Sequence, residues 1–150
     1  YMEQAQQMQE KIEKMIELSG LPLEVTVVPL DEKTFSVALS TQEAGQFIGK
    51  GGENLDDFEH IIRLIINHGA EQPVRVFVDI NGYKERRAVV LRERARAIAD
   101  EVRISGRQEI LEPMNSFERR IIHLELACRG DVMTESSGEG ASRHVVIGPA

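Results

Sequence analysis

The feature that most constrains this chain is Gly49-Lys50-Gly51-Gly52, a glycine-rich quartet set between two stretches of helical spacing. Gln42 to Ile48 runs into it, and from Glu53 onward Leu55, Phe58, Ile62 and Ile65 fall on one helical face. Glycine carries no Cβ, so such a loop adopts positive backbone dihedrals and lets another backbone come close.

Upstream, Met8, Ile12, Met15 and Ile16 predict a first helix over residues 3 to 18, stopped by Gly20 and Pro22. Leu23, Val25 and Val27 then alternate with polar residues, as do Phe35, Val37 and Leu39 beyond Asp31-Glu32-Lys33, which reads as a hairpin. Downstream of Gly69 and Pro73, residues 74 to 80 alternate as a strand. The order is helix, strand, strand, helix, helix, strand. Asn81-Gly82 is a turn signal, and the charge balance changes there. Residues 1–81 hold 6 Lys/Arg against 14 Asp/Glu, and residues 82–150 hold 12 against 11, so two domains are expected, 1–81 and 82–150.

In the second half, Ala88, Leu91, Ala95, Ile98, Ala99 and Val102 define the apolar stripe of a long helix from Tyr83, with Arg92, Arg96 and Arg103 on another face. Lys84 to Arg107 carries eight basic and four acidic side chains, the one concentrated basic segment in a chain of net charge -7. Those arginines suit a solvated face and nucleic-acid contact equally well. A short extended piece at 108–111 ends before Pro113. Asn115 with Glu118 three residues on resembles a capping box. Phe117, Ile121, Leu124 and Cys128 are expected to face the core of this second module, burying the thiol. Two late strands are predicted near Val132 to Glu135 and His144 to Ile147, and the overall class is α+β.

The chemistry follows from two constellations. Amides of the glycine loop and of the following helix start, with Lys50, form an anion-binding arrangement. It is not a P-loop: three residues, not four, separate Gly45 from Gly49-Lys50, and Gly51 replaces the Ser or Thr. Glu53, Asp56, Asp57 and Glu59 follow directly and would oppose a phosphate chain. The second constellation is Arg119 and His123, one helical turn apart, a guanidinium fork beside an imidazole that can hydrogen-bond or stack on a base. No catalytic triad, carboxylate pair or nucleotide fingerprint appears, so no enzyme is expected. One cysteine and scattered histidines (His60, His68, His144) give no metal site, and no cofactor is expected. No apolar run long enough for a membrane span or secretory signal is present, which leads us to expect a cytoplasmic protein with no membrane insertion. The chain opens on Tyr1, from which a preceding segment is expected.

Phe47-Ile48-Gly49-Lys50-Gly51-Gly52 between two helices resembles the GxxG signature of KH domains, and the element order resembles their type II arrangement (αββααβ). Arg119-x-x-x-His123 resembles the defining element of R-three-H domains, small α/β modules. One module directly after the other, with Gly82-Tyr83-Lys84-Glu85-Arg86-Arg87 and Leu111-Glu112-Pro113-Met114-Asn115 at the junctions, is similar to the Jag family, also called KhpB, over essentially the whole chain. The resemblance implies single-stranded RNA binding through Gly49, Lys50, Gly51 and Gly52, with Ile48 as a groove former and Arg119 and His123 as further contacts. It also implies a role in bacterial cell elongation or division, a second, single-KH protein as partner, and commonly an additional N-terminal domain. A homo-oligomer is a further option. The competing reading is a protein-interaction scaffold that pairs with another KH protein, RNA being secondary.

Overall fold

The structure is a computed structural model that describes all 150 residues. The chain forms two compact units, Tyr1–Lys84 and Glu85–Ala150. The division falls inside a helix rather than at the Asn81-Gly82 turn, because Tyr83 packs on the first core and Lys84 Nζ reaches Glu59 at 2.5 Å. No helix is long and apolar enough to cross a membrane.

In the first unit, helix α1 (Met2–Ser19) buries Ala5, Met8, Ile12 and Ile16 and stops where Gly20 turns left-handed, φ 68°. Strands β1 (Glu24–Asp31) and β2 (Thr34–Ser40) pair antiparallel with Val25 opposite Leu39 and Val27 opposite Val37. β3 (Arg75–Ile80) pairs parallel to β2, Val37 opposite Val78 and Leu39 opposite Ile80. A parallel pair cannot be joined by a tight turn and needs a crossover. That crossover is α2 (Ala44–Ile48), the glycine quartet and α3 (Glu53–Asn67), so the quartet lies at a helix-to-helix corner. Val25, Val27, Phe35, Val37, Leu39, Val76, Val78 and Ile80 join the inward faces of α1 and α3 in one core.

β3 is an edge strand, and its outer side would expose unpaired peptide groups. Three α3 side chains one turn apart occupy that side. Asn67 accepts from the Val74 amide (2.8 Å) and donates to the Val74 carbonyl (3.2 Å). Arg63 Nε donates to the Val76 carbonyl (3.2 Å), and Glu59 accepts from the Val78 amide (3.1 Å). The helix thus supplies the partner that a fourth strand would have supplied.

In the second unit, α4 (Tyr83–Ser105), which begins in the first, buries Ala88, Leu91, Ala95, Ala99 and Val102, the stripe read from the sequence. β4 (Glu109–Ile110), β5 (Val132–Ser137) and β6 (His144–Pro149) form an antiparallel sheet in the order β4-β6-β5. Helix α5 (Ser116–Leu126) starts at Asn115, whose side chain accepts from the Glu118 amide at 2.9 Å. The Glu118 carboxylate of the expected capping box is buried and receives Arg87 Nε at 2.8 Å, which ties the start of α5 to α4. This rotates α5 away from the expected orientation. Glu118, Ile121, Ile122 and Leu126 face inward, while Phe117 and Leu124 are 48% and 62% exposed and the Cys128 thiol is exposed rather than buried.

Candidate nucleic-acid interface

Three glycines of the quartet are held at positive φ: Gly49 at 72°, Gly51 at 62° and Gly52 at 81°. Each has its own reason. Gly49 is pressed from behind by Asn54, whose Cγ would lie 2.7 Å from an added Cβ and whose Nδ2 donates to the Gln46 carbonyl at 2.6 Å. Gly52 is buried, and an added Cβ would meet the Tyr83 ring at 3.3 Å. Gly51 faces open space, so only its dihedral demands glycine. Lys50 and Gly51 are exposed. The corner is therefore fixed at both ends by packing and bare in the middle.

Ile48, with Phe47, directly precedes the quartet and is buried in the first core. Of the carboxylates that follow, Glu59 is taken up by Arg63 (2.5 Å), Lys84 (2.5 Å) and the Val78 amide. It belongs to the edge of β3 and is compensated there. Glu53, Asp56 and Asp57 are exposed on the first turns of α3.

In the second unit, Arg119 and His123 lie on α5, both half-buried. Arg119 Nε donates to the Met114 carbonyl at 3.2 Å, which fixes the side chain along the segment leading into the helix. Both nitrogens of the His123 ring are engaged by β5: Nδ1 with Thr134 Oγ1 and Nε2 with Ser136 Oγ, each at 2.8 Å. Burial, and then the positive charge of Arg119, hold this imidazole below the usual histidine range, so it favours the neutral form. The sequence brings Arg119 and His123 together by helical spacing. Thr134 and Ser136 carry no such signal beyond alternating on a strand.

The basic helix α4 is largely compensated within its own unit. Arg94 forms a bidentate pair with Glu112. Arg96 Nε lies 2.5 Å and Arg92 Nε 4.0 Å from Glu125, while Arg103 Nε lies 3.8 Å from Asp131. Arg129, raised above the usual guanidinium range by Asp131 and Asp100, adds a further pair of bridges back to α4 and to the loop before β5. These arginines fasten the helix to its neighbours, and the concentration of positive charge seen in the sequence is much diluted in space.

Residues 89–149 match the family model of the R-three-H domain, which assigns the second unit to that class of small α/β modules. Over 139 residues the chain is 36% identical to the RNA-binding protein KhpB of Clostridium symbiosum, covering 92% of this chain and 63% of that protein. It is 39% identical to KhpB of Lactiplantibacillus plantarum over 107 residues (71% and 33%), and 36% identical to KhpB of Bacillus subtilis over 118 residues (77% and 57%). The chain belongs to the Jag/KhpB family, and it spans between a third and two thirds of the length of these relatives.

Proposed function

We propose that this protein binds single-stranded RNA without catalysing a reaction on it, through a KH-like first domain (1–81) and the R-three-H domain that follows (82–150). Gly49, Lys50, Gly51 and Gly52 clamp the phosphate backbone, Ile48 supports the groove beside them, and Arg119 and His123 provide the second contact. The observation that carries this reading is the quartet itself: a corner rigid at Gly49 and Gly52, with a lysine and a bare peptide exposed between them. The relatives' name as RNA-binding proteins supports it. The site of action is the bacterial cytosol, in the control of cell elongation or division.

The experiment is filter binding of single-stranded against duplex RNA, with Lys50→Asp plus Gly51→Asp as the test variant. Gly51 faces open space, and aspartate tolerates a left-handed backbone better than most residues. The variant should fold and lose affinity by more than about tenfold. Unchanged retention rejects the clamp. Arg119→Ala should weaken binding most at low salt and flatten the salt dependence by about one phosphate contact.

One observation favours a second reading, a scaffold that pairs with another KH protein. On the sheet face of the first unit that the helices leave open, Val28, Ser36 and Phe77 form a row, and Val28 and Phe77 are 49% and 53% exposed. Crosslinking in cells separates the two: recovered RNA supports the clamp, and a protein adduct on Phe77 without RNA supports the scaffold.

A further inference from the structure

A neutral imidazole has one N–H donor and one bare nitrogen acceptor. His123 presents those two edges to two hydroxyls on the same face of β5, Thr134 Oγ1 and Ser136 Oγ, each at 2.8 Å. The protonated nitrogen must donate to one hydroxyl, and the bare nitrogen must accept from the other. The hydroxyl that accepts cannot aim its own proton at the ring, so one O–H of the pair points elsewhere whichever tautomer is present. Thr134 and Ser136 are both half-exposed, and neither hydroxyl makes another hydrogen bond within the chain. One turn of α5 away, half-buried Arg119 is pinned through Nε to the Met114 carbonyl, a bond that does not use its two terminal nitrogens. A directed hydroxyl donor beside a fixed guanidinium matches the oxygens of a phosphodiester or a ribose.

We propose that Thr134 and Ser136 are further RNA-contact residues of the second unit, and that His123 acts on RNA through them, as a positioning residue that turns one hydroxyl proton toward a backbone oxygen beside Arg119. This rests on the reading that the Arg119 and His123 face meets RNA. It changes the part played by the histidine: with both ring nitrogens occupied, its edge is already spent on the strand, and the groups it orients make the contact. The strand β5, which no sequence motif marks, becomes part of the binding surface.

The test is fluorescence anisotropy on the full chain with a fluorescein-labelled oligouridylate RNA. Thr134→Val with Ser136→Ala removes both hydroxyls at nearly constant volume and should weaken binding about fivefold, the equivalent of one good hydrogen bond. Adding His123→Ala to that pair should change little further, because the histidine then has nothing left to orient. Exchanging the two residues, Thr134→Ser with Ser136→Thr, keeps both hydroxyls and should restore binding. This last variant also answers a loss that comes only from a loosened strand. If the hydroxyl-free pair binds like the wild type while Arg119→Ala is weakened, the inference is overturned and the RNA-contact reading stands. If Arg119→Ala also binds like the wild type, the reading of this face fails and the inference with it. If the exchanged pair binds as poorly as the hydroxyl-free one, or if His123→Ala remains fully additive, the hydroxyls are not the groups through which the histidine works.

Discussion

The glycine corner of the first unit and the Arg119/His123 face of the second solve the problem of presenting polar groups in opposite ways. In the first, side chains are removed from the front and packed behind: Asn54 presses on Gly49, Tyr83 backs Gly52, and the peptide at Gly51 is left bare. In the second, the side chains are kept and tied down by a carbonyl and two hydroxyls. A backbone device depends on dihedral angles that only glycine adopts cheaply, so it announces itself in the sequence. A side-chain device depends on partners from another element, and these are visible only once the chain has folded.

The contrast can be broken most forcefully at the ion pair that orients α5. Arg87→Ala leaves the buried Glu118 carboxylate without that guanidinium, and should destabilise the second unit by about 3–5 kcal/mol in urea unfolding at neutral pH. A loss under about 1 kcal/mol would mean that apolar packing alone sets the rotation of α5. Next in size is Gly49→Ala. Its dihedrals, φ 72° and ψ 179°, belong to a region almost reserved for glycine, and the new methyl collides with Asn54, so a cost of about 3 kcal/mol in the first unit is expected. Gly51→Ala sharpens the same point. It meets nothing and adopts an ordinary left-handed turn, so thermal unfolding should register only about 1 kcal/mol. Equal costs at the two positions would refute the picture of a corner fixed at its ends and open in its middle.

The smallest effect is a pH dependence of the second unit. His123 is held below its unfolded pKa of about 6.5, so the unfolded state binds more protons as pH falls. Stability is therefore full above about pH 6.5 and declines as pH drops through that value toward the lower folded one. His123→Gln should remove this slope. Urea titrations of both proteins at about pH 7.5 and about pH 5.5 measure it, and parallel behaviour would show that the ring is not protected by its place against β5.

How much of this was legible varies with the range of the interaction. The stripes of α1 and α4 were readable because a helix facing one core repeats its apolar residues at a fixed period. The quartet was readable for the dihedral reason given above. Helix α5 buries a different face from the one its spacing predicts. Phe117, Ile121, Leu124 and Cys128 form as good a stripe as the one the fold buries, and a charged Glu118 argues against its own side. The balance was tipped by Arg87 on α4 and by the hydroxyls of β5. The basic character of α4 was visible too, but not that Glu112, Glu125 and Asp131 would fold back onto it. The resemblance implies Ile48 as a groove former, and its burial in the first core is a tertiary fact that the motif itself does not carry.

By itself, then, the sequence determined the elements, their order and the glycine corner, since these follow from periodicity and backbone sterics that act within a few residues. Tertiary structure decided which face of α5 is buried, which charges are compensated and what His123 touches. Those outcomes depend on pairing groups far apart in the chain, where several partners of the same chemical type compete and only geometry chooses among them.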